Sequence, residues 1–145
     1  MNHLDSKGHS ATIEICRSWE IAFDYLKQPL NLGKWALGSQ DTKATDKEGI
    51  YTGISIFNKE QGFFKIVADK NYRLLDFHVG DQSSLIPRIS MRVIPGPHYG
   101  NSDSYCLVTL DAWRDLQMSD DRWHQLCCCH ETEVILLKSL VEQET

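Results

Sequence analysis

The segment Arg122–Val134 reads RWHQLCCCHETEV, three adjacent cysteines held between two histidines. Thiolates and imidazoles are the usual ligands of zinc, and a depressed thiol pKa would make the same residues redox-active. A structural zinc ion takes about four donors in tetrahedral array, usually drawn from separate loops. On a helix successive residues turn by about 100°, so Cys127, Cys128 and Cys129 radiate in different directions and cannot converge on one ion. Such a helix offers only pairs, Cys127 with His130 or His124 with Cys128. The other donors would have to come from Cys16, Cys106, His78 or His98, and no spacing among these forms a recognisable ligand pair. The pattern therefore predicts neither a metal site nor a cofactor. Cys127 and Cys129 read as small buried apolar residues, and Cys128 as an exposed thiol with no neighbour to activate it.

His130 is the candidate catalytic residue. Trp123, Cys127, His130, Val134, Leu137 and Val141 fall along one helical stripe, widened by Leu126, Leu136 and Leu140. An imidazole in the middle of that stripe is either a core group satisfied by backbone or water, or an acid–base group turned towards a ligand. Asp76 and His78, two residues apart in LLDFHVG, could form a carboxylate–imidazole base. The apolar set Leu75, Phe77 and Val79 is the better interior face, which leaves that pair in solvent. Arg88 and Arg92, with Ser90 between them, likewise read as a solvated face opposite Leu85, Ile89, Met91 and Val93. In the last strand Cys106, Val108, Leu110 and Ala112 form the interior set, and Tyr105 and Thr109 would replace them only in the opposite register. No phosphate loop, nucleophile elbow or zinc-protease helix motif occurs, and the glycines read as isolated turn markers.

The elements that must hold these residues follow from periodicity. HSATIEIC alternates as a first strand. Ser18 then stands where an N-cap belongs, before a helix carrying Trp19, Ala22, Phe23 and Leu26; Pro29 and Gly33 end it and allow one short second helix. From Ala36 to Arg114 the period is two, in GIYTGISIFN, GFFKIVADK, YRLLDFHVG, SLIPRISMRVI and SDSYCLVTLDAW, with a polar edge strand starting near Gln40–Lys47. Short turns between them require antiparallel neighbours. Ser119 caps a long amphipathic helix that runs to about Glu142. The expectation is one α+β domain over residues 1–145, residues 1–9 flexible, with a curved antiparallel sheet of about seven strands wrapped on the C-terminal helix.

A net charge of -5 argues against non-specific nucleic-acid binding, which depends on basic residues. No run approaches the ~18 apolar residues of a membrane-spanning helix, and no apolar leader opens the chain. Five cysteines, an odd number with three adjacent, suit reduced thiols and a cytoplasmic setting.

The strand-to-helix join IEICRSWEIAFDYLKQPLNLGKW and the closing SDDRWHQLCCCHETEVILLKSLVE resemble the helix-grip fold of the START/polyketide-cyclase superfamily, from about Ser10 to Glu142. The resemblance implies a cavity between sheet and last helix that takes a lipid, a polyketide or another aromatic compound. It carries over no catalytic residue, because that superfamily has no universal catalytic set. The lining residues expected on this reading are Trp35, Ile54, Ile56, Phe77, Met91, Val108, Leu110, Trp123, Cys127, His130 and Val134, with Trp35 and Trp123 at an entrance. Three functions stay open: a binder of a hydrophobic small molecule, a metal-free cyclase, aromatase or dehydratase using acid–base residues, and a co-chaperone-like interaction module. Either a monomer or a homodimer is compatible with the sequence.

Overall fold

The computed structural model describes residues 6–144. The first strand, β1 (Gly8–Ile15), leads into α1 (Trp19–Leu26) and the short α2 (Pro29–Leu32). Six strands follow: β2 (Gln40–Ala44), β3 (Tyr51–Ile54), β4 (Gln61–Asp69), β5 (Leu74–Asp81), β6 (Ser84–Pro95) and β7 (Cys106–Trp113). A single turn of 3-10 helix, Gly96–Tyr99, lies between the last two, and α3 (Asp120–Glu142) closes the described chain. All seven strands form one antiparallel sheet in the order β1-β7-β6-β5-β4-β3-β2. The sheet is curved, and with the long helix it makes a helix-grip α+β fold.

The polar lead ends earlier than the sequence suggests. Gly8 and His9 already pair with Trp113 and Ala112, so both are part of the sheet; the first five residues lie outside those described. Ser18 does stand at the N-cap of α1, but its side chain makes no capping bond. Ser119 does cap α3, its hydroxyl accepting the Arg122 N–H at 3.1 Å. Asp120 and Asp121 place negative charge against the positive end of that helix.

One continuous core explains how α3 is held. Leu137 and Val141, both fully buried, share it with Ile15 of β1, Phe23 of α1 and Val93 of β6. At the end of α3, the Glu142 carboxylate accepts the Cys16 N–H at 2.8 Å, and Arg17 donates to the carbonyls of Glu142 and Glu144. The C-terminal half of the helix is therefore pinned to the corner between β1 and α1. Its N-terminal half lies over the part of the sheet where the core is incomplete.

Candidate functional site

Beneath the N-terminal half of α3 lies a cavity of about 580 Å³. That is within the usual range for a small-molecule site, roughly 300–1,000 Å³. Its walls are mostly apolar. Trp35 and Phe77 meet edge to face, with ring centroids 6.4 Å apart, and Leu110, Ile89, Trp123 and Leu126 continue the surface. Half-exposed Phe57, Ile86 and Trp113, with Gly80 and Asp81 at the end of β5 and Ser84 at the start of β6, border the open side.

The expected lining residues divide. Trp35, Phe77, Leu110, Trp123 and His130 line this cavity. Trp35 and Trp123 are buried walls, however, and the opening is bordered by Phe57 and Trp113 instead. Met91, Val108 and Val134 belong to the packed core, and Cys127 is fully buried without reaching the cavity. Met91, Val108 and Val134 are enclosed by core neighbours, and Cys127 is turned away from the face that Leu126, His130 and Glu133 present. Ile54 and Ile56 are also outside. Ile54 alternates with Gly53 and faces solvent, and Ile56 sits in the turn beyond β3, its N–H bonded to the Leu37 carbonyl.

Gly53 is not a turn marker. It sits within β3, and a Cβ there would be 3.1 Å from the Ser39 Cα and would collide with the Ser39 hydroxyl. The missing side chain lets the loop carrying Ala36, Gly38 and Ser39 close one side of the cavity.

Arg88 reverses the reading of β6. The β5–β6 register pairs Phe77 with Ile89 but His78 with Pro87, so Arg88 is the extra residue of a β-bulge. Proline cannot donate to a ladder, and this one marks the place where alternation slips. Before the bulge Ile86 faces the cavity, after it Ile89 does, and Arg88 joins them. Its guanidinium is held by Asp115 at 2.5 Å. Hydrogen bonds from the Gln117 N–H and from Arg88 keep the Asp115 carboxyl below the usual range. Asp76 and His78 are on the opposite strand face from Phe77 and Val79, and neither lines the cavity.

Among the described residues of α3, Arg122, His130 and Glu133 face the space together with the thiol of Cys129. His130 is 3% exposed, and its Nδ1 has no hydrogen-bond partner among the described residues. Burial pushes the imidazole down to about 4, with electrostatic repulsion from neighbouring His9 and Arg122 adding to the effect. The His9 ring lies 6.3 Å from it, centroid to centroid, and His9 Nε2 contacts the Glu131 carboxylate at 3.0 Å. Glu133 is 5% exposed, and burial pushes its carboxyl up to about 7, opposed by the Leu37 N–H that it accepts at 2.7 Å.

Glu133 and Arg122 were missed in the sequence reading, yet both carry a signal. Glu133 lies three residues after His130 and four before Leu137, on the edge that Leu126 and Leu140 define. Arg122 precedes Leu126 by four. As for the thiols, Cys127 is buried, Cys128 exposed, and Cys129 borders the cavity. Cys128 Sγ is 3.7 Å from His124 Nε2, but among the described residues no group of three or more such side chains could hold a metal ion.

No family model matches the chain, and no curated protein matches it in sequence. Solved structures do share its fold. An uncharacterized protein from Bacillus thuringiensis superposes with a TM-score of 0.71 at 13% identity, over 92% of this chain and 98% of that one. A START superfamily protein from Mycobacterium smegmatis gives 0.69 at 11% identity, over 97% of this chain and all (100%) of the other. The di-domain ARO/CYC BexL from the BE-7585A biosynthetic pathway gives 0.66 at 13% identity, over 94% of this chain and 47% of its own length. The chain has the START/polyketide-cyclase-like helix-grip fold. No described helix is long and apolar enough to cross a membrane.

Proposed function

We propose that this protein binds a hydrophobic small molecule between its sheet and the N-terminal half of α3. The observation that carries this reading is an apolar-walled space of about 580 Å³ that α3 roofs without filling. A void of that size, bordered by Trp35, Phe77 and Trp123, forgoes dispersion contacts that an apolar guest would supply. The START-like neighbour supports it at the level of the fold. Titration with the uncharged dye N-phenyl-1-naphthylamine, followed by dye emission and tryptophan quenching, tests it. Saturable binding at one site per chain is expected, and absence of saturation at soluble dye concentrations overturns it.

A second reading, an acid–base enzyme of cyclase or dehydratase type, is favoured by one observation. His130 and Glu133 border the same cavity, and burial moves their pKa values in opposite directions, leaving a carboxyl that titrates near neutrality beside a largely uncharged imidazole. Such divergence suits general acid and base roles. Incubating the protein with a linear poly-β-ketone and following loss of water by mass spectrometry tests it. Turnover that disappears in both Glu133→Gln and His130→Ala is expected, and undiminished turnover in both excludes these roles.

A further inference from the structure

The cavity is not apolar throughout. At about 1.5 Å per residue, Arg122 and Glu133 are separated by about 16 Å along α3. Arg122 thus marks one end of the space, near Phe57 and the opening, and Glu133 the other, beside Leu37.

The two arginines of the wall are in different electrostatic states. Arg88 is neutralised by Asp115. Arg122 donates to the uncharged Gln125 Oε1 at 2.7 Å, its guanidinium lies 5.8 Å from the Phe57 ring centroid, and it forms no ion pair among the described residues. Asp81 also borders the cavity, but it is exposed at the end of β5. A half-buried guanidinium without a counter-charge is electrostatically costly. It also stands in the first turn of α3, where the helix dipole disfavours a cation. A second polar group, the buried His130 with its unpartnered Nδ1, borders the same space.

Building on the proposed binding function, we infer that the natural guest is an amphipathic acid: an apolar, partly aromatic body with one anionic group that engages Arg122 at the open end. Trp35, Phe77 and Leu110 take the body, and Arg122 takes the carboxylate or an equivalent anion through charge-assisted hydrogen bonds. The anion supplies the counter-charge that Arg122 lacks among the described residues.

Two dyes with a common body separate this inference from the binding reading beneath it. 8-Anilinonaphthalene-1-sulfonate carries one sulfonate that N-phenyl-1-naphthylamine lacks. Arg122→Gln is expected to weaken the sulfonate by roughly tenfold or more, the worth of a charge-assisted hydrogen bond, and to leave the neutral dye unchanged. Arg122→Lys retains part of the sulfonate affinity, and Arg92→Gln, an exposed arginine outside the cavity, changes neither dye. If both dyes bind Arg122→Gln as they bind the native chain, the inference fails while the cavity reading survives. Equal weakening of both dyes assigns Arg122 to the wall instead and overturns the inference. So does a sulfonate that fails to compete with the neutral dye. Binding of neither dye by the native chain overturns both readings.

Discussion

Glu133 Oε2 accepts the Leu37 N–H at 2.7 Å, so a carboxyl buried in the cavity wall ties α3 to the loop after α2. This bond is kept at a cost that depends on pH. Burial lifts the carboxyl from 4.5 to about 7. Between those values the folded chain holds a proton that the unfolded chain has lost, so this group's contribution falls as pH rises through that window. The whole fall is about 3 kcal/mol. Glu133→Gln keeps an acceptor for Leu37 and removes the ionisation. It is expected to raise stability by up to about 3 kcal/mol at about pH 8 and to change it little at about pH 4. Urea unfolding at the two pH values measures this.

His130 has the opposite slope. Burial lowers its pKa from 6.5 to about 4, so across that window the unfolded chain holds the extra proton and stability rises with pH. The two windows overlap from about 4.5 to about 6.5, where the contributions oppose and nearly cancel. The native chain should then show little pH dependence from this pair. Glu133→Gln exposes the rising His130 limb, and His130→Asn exposes the falling Glu133 limb. Denaturant midpoints between about pH 4 and about pH 7.5 check the mirror-image slopes, and parallel slopes in the two variants would contradict the assignment.

The fold was legible because it rests on periodicity. Alternating runs gave the sheet, and the stripe from Trp123 to Val141 gave the helix that packs on it. The site was less legible for two local reasons. A bulge shifts β6 by one residue at Arg88, so strict alternation assigns Arg88 to solvent and Leu85 to the interior. Along α3 the stripe alone does not say where packing stops and open space begins: Cys127 and Val134 are buried in contact, whereas His130 and Glu133 border the cavity. Ser39 and Phe57 enter from loops, for which periodicity says nothing.

The five thiols, three of them on α3, report on burial across the fold. Cys16 and Cys128 are exposed and should react with a thiol reagent in the folded protein. Burial pushes Cys106 up to about 12 and Cys127 up to about 11, so both should react only after unfolding. Cys129 is partly accessible from the cavity, with burial raising its pKa. Its labelling should be slow, and bound N-phenyl-1-naphthylamine should slow it further without protecting Cys128. Mass spectrometry of labelled peptides reads each site, and equal protection of Cys128 and Cys129 would place the dye elsewhere.

Truncating a cavity wall should differ from truncating the core. Phe77→Ala removes a ring that contacts Trp35 on one side and borders open space on another. Its cost should lie at the lower end of the usual Phe→Ala range, about 3 kcal/mol, because part of the ring has no neighbour to lose. Met91→Ala removes a side chain packed on all sides and is expected to cost about 2–5 kcal/mol. The dye distinguishes them. Binding to the folded state adds stability as RT ln(1 + [L]/Kd). Met91→Ala leaves the cavity wall intact, so saturating dye should stabilise it by the same increment as the native chain. Phe77→Ala enlarges the cavity and removes a contact surface, so its increment should shrink for the dye and recover with a bulkier apolar probe. Equal increments in all three proteins would show that the dye does not touch Phe77.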